Sequence, residues 1–139
     1  LEVGAYLQVT AANLLPGGGL SNKAVFTVLN PVPTLTSIKP TSIIAGSPDF
    51  TITLTGNNFV KTSAISFNNQ QYSSRHINKT QIETTIPSDA TKTPDSYQVK
   101  VINPSPGGGE TIQIMFEVKN PQPELTAINI EPLNATVAV

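Results

Sequence analysis

The chain contains no cysteine. That absence excludes a disulfide framework, a thiolate metal site and a Cys–His nucleophile pair. It does not fix a compartment, because secreted bacterial proteins also fold without disulfides. Tryptophan is absent too, and the one histidine is His76. A His-rich zinc site is therefore excluded. Charge is scarce, with 12% charged residues and a net charge of −1. No strong field draws the chain to nucleic acid or to an anionic membrane surface. No apolar run approaches the ~20 residues that span a bilayer, so direct membrane insertion is not expected. No signal-peptide pattern opens the chain, which begins on Leu1 rather than Met and reads as a segment of something longer.

What remains is rich in Thr, Ser and Asn, with 12 prolines and 9 glycines among 139 residues. Thr and Val suit strands, while Pro and Asn suit turns. A helical bundle would carry more Glu, Lys, Ala and Leu.

A repeat organises the sequence. "NLLPGGG" at 13–19 matches "NPSPGGG" at 103–109, and "VFTVLNPVPTLTSIKP" at 25–40 matches "MFEVKNPQPELTAINI" at 115–130. All lie at one ungapped offset of ninety, with 15 identities in the 31 positions from 8 to 38. The chain reads as a window on a tandem array. It holds the C-terminal hairpin of one unit at 1–31, a complete unit at 32–121, and the first strands of a third at 122–139. A period near ninety is long enough for each unit to own a core.

Within the complete unit, apolar residues alternate with polar ones. Phe50, Ile52 and Leu54 alternate with threonines in "DFTITLTG". Ile65 and Phe67, then Ile82, Thr84 and Ile86, then Tyr97, Val99 and Val101 continue the pattern. The last set is Ile112, Ile114, Phe116 and Val118. With Leu35 and Ile38, this predicts six or seven short strands, each with one face buried. No stretch has helical period. The expected class is all-β, an antiparallel β-sandwich.

The triple glycines could cradle phosphate, loosen a linker or turn a hairpin. A phosphate loop needs a following helix and a Lys-Ser/Thr. Here Glu110 follows, and then another strand. Gly17, Gly18 and Gly19, like Gly107, Gly108 and Gly109, are therefore assigned to the turn between the last two strands of a unit.

The ordered set "PTLTSIKPTSIIAGSPDFTITLTGNNF", "TQIETTIP", "YQVKVINPSPGGG" and "FEVKNPQP" resembles the IPT/TIG domain, an immunoglobulin-like fold, most of all its bacterial cell-surface form. The segment "LTAINIEPLNATVAV" at 125–139 departs from the central unit. It is similar to the opening strands of the bacterial Ig-like group 2 domain of intimin-like and invasin-like proteins. The resemblance implies an extracellular or cell-surface bacterial setting. It also gives Tyr97 a structural part, bonding back to upstream backbone.

Chemistry candidates are few. A triad through His76 with Asp89 or Asp95 lacks a Gly-x-Ser-x-Gly elbow, and His76 in "SSRHINKT" reads as a solvated loop residue. Asp89 and Asp95 flank one loop, but the calcium-loop pattern is missing and Lys92 lies between them. No catalytic, metal or cofactor site is expected. A candidate ligand patch for a glycan is Asn68, Asn69, Gln70, Tyr72, Arg75 and His76, since amides and an aromatic face suit sugars. Two Asn-x-Thr sequons occur, at Asn78 and Asn134.

Prolines mark the joins. Pro31 and Pro33, and Pro121 and Pro123, alternate with one residue between and favour stiff, extended backbone. The expected function is a non-catalytic stalk, spacer or filament subunit, with an adhesive or carbohydrate-binding module as the alternative. Expected partners are neighbouring Ig-like domains in the chain, other copies by strand pairing in a filament, and a glycan under the alternative.

Overall fold

The structure is a computed structural model and describes residues 3–127. The following hairpin strands lie at its start: β1 (Tyr6–Val9), β2 (Ala12–Asn13), β3 (Gly19–Leu20) and β4 (Ala24–Thr27). The main body follows with β5 (Thr34–Lys39), β6 (Ser42–Ile44), β7 (Phe50–Asn57), β8 (Ala64–Phe67), β9 (Gln70–Ser73) and β10 (Arg75–Asn78). It closes with β11 (Gln81–Ile86), a single 3-10 turn at Ser88–Thr91, β12 (Asp95–Asn103), β13 (Gly109–Glu110) and β14 (Ile114–Lys119). The described residues are all-β apart from that turn.

Two sheets make the body. One has the order β10-β11-β7-β5, and the other β6-β14-β12-β8-β9 with β13 beside β12. The chain changes sheet at Pro40, which has no N–H to continue the β5 ladder. It then lays β6 parallel to β14, pairing Ser42 with Glu117 and Ile44 with Lys119. It changes sheet again at Ser74, whose hydroxyl bonds the Ser63 carbonyl. Beside it the Thr84 hydroxyl donates to the Ser73 carbonyl at 2.8 Å.

The alternating residues build one core from both sheets. Ile52 and Leu54 of β7, Ile82 and Ile86 of β11, Val99 and Val101 of β12 and Phe116 of β14 are fully buried. Phe50 of the first sheet stacks on Phe116 of the second, with ring centroids 5.5 Å apart. Phe67 stacks on Tyr97 at 5.4 Å and meets Phe116 edge-on at 5.5 Å. Such pairs add about 0.5–1.5 kcal/mol each beyond their buried area. The Tyr97 hydroxyl donates to the Thr93 carbonyl, 2.8 Å away and four residues upstream.

One element departs from the alternation read in the sequence. Ile112 is not a core residue but 75% exposed, and β14 begins only at Ile114. The cause is a bulge. Ile102 pairs with Glu110 and Val99 with Ile114, so the return strand carries one extra residue. Thr111 fills the gap by accepting the Val101 N–H on its hydroxyl at 3.0 Å. Ile112 is thereby turned outward.

Candidate functional site

The candidate glycan residues are carried by one turn and by the edge strands of both sheets. Asn68 and Asn69 form the two-residue turn between β8 and β9, at φ 49° and 65°. Both are left-handed, as that hairpin turn requires. Gln70 and Tyr72 lie on β9, the edge of one sheet, while Arg75 and His76 lie on β10, the edge of the other. Tyr72 is half-buried and packs against the core. Arg75 is tied to Glu83, with Nε 2.7 Å from Oε1. His76 is not a solvated loop residue. It is half-buried on β10, and its Nε2 lies 3.2 Å from the Phe59 carbonyl. Alternation along β10 turns it inward between exposed Arg75 and Ile77. An open, shallow groove does run beside β9, between Lys61, Ser63, Gln71, Tyr72 and Ser74.

The two loop carboxylates have separate partners. Asp89 pairs with Lys92 at 2.5 Å, and this ammonium holds its carboxyl below the ordinary value. Asp95 opens β12 and accepts the Ser96 N–H at 2.7 Å. Among the described residues no cluster of His, Asp and Glu is arranged to hold a metal. Asn78 uses its side-chain oxygen to accept the Thr80 N–H at 2.8 Å, closing the β10–β11 turn. The sequon at Asn134 lies outside the described residues.

The densest polar constellation lies elsewhere, where the linker meets the "NPSPGGG" hairpin. Asn30 is buried, at 6% exposure, in a segment that is otherwise mostly open. Its backbone N–H donates to the Pro106 carbonyl at 2.8 Å, and its carbonyl accepts the Gly108 N–H at 2.8 Å. Its side-chain amide donates to the Pro104 carbonyl at 2.6 Å. The next two peptides are also held. Asn103 donates to the Pro31 carbonyl at 2.9 Å, and Asn58 to the Val32 carbonyl at 2.9 Å. Pro33 is buried while Pro31 stays exposed.

Asn103 is the centre of this clamp and is 2% exposed. Its amide also reaches the Asn58 carbonyl at 2.8 Å, and its oxygen accepts the Ser63 hydroxyl at 2.6 Å. Ser63 in turn accepts the Val60 N–H at 2.8 Å. No described buried side-chain polar atom lacks a partner, as burial demands.

The glycines of this hairpin have definite work. Gly107, Gly108 and Gly109 have φ of 70°, 69° and 131°. A Cβ on Gly107 would stand 2.6 Å from the Asn30 carbonyl oxygen and 2.8 Å from the Leu29 Cβ. So the hairpin is shaped for the linker's close approach as well as for its own turn.

On the other side of the linker, β1 pairs with β4, and Gly4 donates its N–H to the Val28 carbonyl at 2.9 Å. Leu29 alone stands between that bond and the clamp at Asn30. Pro121 and Pro123, the counterparts of Pro31 and Pro33, are both exposed.

The first hairpin carries the same pairings ninety residues earlier. Ala12 pairs with Leu20 and Asn13 with Gly19, as Ile102 pairs with Glu110 and Asn103 with Gly109. Tyr6 pairs with Thr27 and Leu7 with Phe26, as Ser96 pairs with Glu117 and Tyr97 with Phe116. The Ser21 hydroxyl accepts the Ala11 N–H at 2.8 Å, as Thr111 does for Val101. One difference stands out. Gly17 has φ 81°, but Gly18 and Gly19 are not in the left-handed region.

Sequence reasoning singled out the glycines and prolines but passed over Asn30, Asn58, Ser63 and Asn103. A signal for two of them was present. Asn30 recurs as Asn120, and Asn103 repeats Asn13, at positions where turn or extended chain alone does not need asparagine.

No curated protein matches the chain. The family model of the IPT/TIG domain matches residues 33–118. That span takes in both sheets, the clamp residues Asn58 and Asn103 and the glycine hairpin, and Asn30 lies just before it. With more than half of its length matched, the chain belongs to the IPT/TIG domain family, an all-β, immunoglobulin-like group.

Proposed function

We propose that the chain is a non-catalytic structural segment, a stalk, spacer or filament component, of a multi-domain bacterial extracellular or cell-surface protein. In this reading it is a tandem array of sandwich units with a period near ninety. Residues 1–31 close a preceding unit, 32–121 form a complete one, and 122–139 open a following bacterial Ig-like group 2 domain. The shared hairpin registers at that offset support the tandem reading.

The observation that carries the function is the clamp. A linker whose peptides are bonded from Asn30 to Val32, leaving Leu29 between two bonded segments, transmits orientation from one unit to the next. A loose tether would leave these peptides to water. The test is residual dipolar couplings and 15N relaxation on the whole chain. The hairpin at 3–27 and the body at 32–119 are expected to share one alignment tensor. Independent alignment of the two would end the spacer reading.

The second reading, an adhesive or carbohydrate-binding module, rests on the open groove beside Tyr72. A glycan array decides it. Binding lost in Tyr72→Ala and Gln71→Ala would favour it, and no binding leaves the spacer. Assembly with other copies through strand edges belongs to the filament form of the first reading.

A further inference from the structure

We propose that Asn78 is a modification site that carries a glycan on its side-chain nitrogen. The inference rests on the extracellular reading, because sugar-bearing asparagines belong to exported chains.

The sequence supplies the acceptor pattern, Asn78-Lys79-Thr80, and the fold presents it. β10 ends at Asn78, β11 begins at Gln81, and these two residues pair across the turn. Lys79 and Thr80 form the turn itself. Asn78 and Lys79 are exposed, and Thr80 is half-buried. A bulky, hydrated glycan needs such a surface position.

The two polar atoms of the Asn78 side chain have different tasks. Its oxygen accepts the Thr80 N–H at 2.8 Å and the Thr80 hydroxyl at 2.7 Å. Its nitrogen takes part in neither bond, and nitrogen is the atom to which a glycan is joined. Attachment there leaves the oxygen in place to close the turn. Asn30, Asn58 and Asn103 stand in contrast. Their side-chain nitrogens hold the carbonyls of Pro104, Val32, Pro31 and Asn58. A glycan on any of those three would break the clamp, whereas Asn78 accepts one at no cost in hydrogen bonds.

The transfer balances without a redox step. The donor is a sugar held through its anomeric carbon on a pyrophosphate carrier. A bond forms between Asn78 Nδ2 and that carbon as the carbon–oxygen bond to the carrier breaks. The electron pair leaves on the phosphate oxygen, and one proton leaves Nδ2. The product is a secondary amide that keeps its carbonyl.

The position in the fold says what the glycan guards. The Lys79 carbonyl accepts the Phe59 N–H, and the Thr80 carbonyl accepts the Gly56 N–H, each at 2.9 Å. Between those two donors lies Asn58, which holds the Val32 carbonyl. The acceptor turn is thus bonded to the loop that clamps the linker. A glycan there stands at the linker end of the sandwich. It sets hydrated bulk beside exposed Pro31 and Val32 and hinders the approach of a protease.

The test is peptide-level mass spectrometry on the protein recovered from the surface fraction of the cells that make it. Added sugar mass is expected on Asn78, through a bond that resists alkaline β-elimination. Asn78→Asp keeps an oxygen for the turn but removes the nitrogen, and is expected to lose the sugar while remaining folded by circular dichroism. Thr80→Ala is expected to lose it as well, and Thr80→Ser, which restores the hydroxyl, to keep it. A bare Asn78 in the surface fraction overturns the proposal and leaves the extracellular reading standing. Sugar that persists in Asn78→Asp, or that β-elimination releases, sits on another residue and also overturns it. Recovery of the chain from the cytosol alone ends the extracellular reading, and this proposal with it.

Discussion

The side-chain amide of Asn30 donates to the carbonyl of Pro104 at 2.6 Å, across 74 residues of sequence. One short polar side chain thus ties the lead-in of the body to its last hairpin. Asn30→Ala removes this bond and leaves the two backbone bonds in place. We expect a loss of about 1 kcal/mol, the net worth of one such bond. Urea denaturation measures it, and faster amide exchange at Gly108 is expected alongside.

Asn103 is the more demanding position. Asn103→Leu keeps the number and branching of the side-chain heavy atoms but strips donors from the Pro31 and Asn58 carbonyls and an acceptor from the buried Ser63 hydroxyl. The expected cost is about 2–3 kcal/mol. Ser105→Ala, at an exposed position of the same hairpin, is expected to change stability by less than about 0.5 kcal/mol. Thermal denaturation of the two variants side by side checks the contrast.

The two triple-glycine turns are expected to respond differently. Gly107→Ala places a methyl on the Asn30 carbonyl in a left-handed backbone, and about 1–3 kcal/mol is lost. Gly19→Ala meets open space outside the left-handed region and is expected to be close to neutral. Equal losses at both sites would contradict the close approach of the linker to Gly107.

Asp89 gives the pH dependence. Its hydrogen bond and charge attraction with Lys92 lower its pKa from 3.8. A group lowered on folding stabilises most above its ordinary value, and that contribution fades as pH falls through the folded value. The pair is fully exposed, so the effect on stability is small. Lys92→Ala is expected to move the Asp89 midpoint upward towards 3.8, read by 13C carboxyl shifts.

Much of the fold was legible because burial imposes period two on strands. Ile52, Leu54, Ile82, Ile86, Val99, Val101 and Phe116 all alternate in the sequence and all lie in the core. Ile112 misled, because a bulge adds a residue without leaving a mark in the hydrophobic pattern. His76 misled because polar neighbours look like a loop, whereas one strand face can hold a lone half-buried imidazole against a carbonyl. The candidate patch is contiguous in sequence but shared between the two sheets, since the chain changes sheet at Ser74 between Tyr72 and Arg75. The clamp was hidden for a different reason. Its asparagines hold backbone carbonyls, which every residue carries, so no partner pattern appears in the sequence.

The parallel pairing of β6 with β14 bears on how the unit answers a pull. β6 lies near the start of the body and β14 at its end, and they are joined in register from Ser42–Glu117 to Ile44–Lys119. Further bonds run from Ala45 N–H to the Lys119 carbonyl at 2.8 Å and from Glu117 N–H to the Thr41 carbonyl at 3.1 Å. Tension applied along the chain draws these two strands past each other, so the bonds are loaded together in shear rather than opened one by one like a zipper. Resistance to force is then a property of the unfolding barrier, separate from equilibrium stability. Ala45→Pro, which deletes one of the sheared donors, is expected to lower the single-molecule rupture force more than its change in melting temperature suggests.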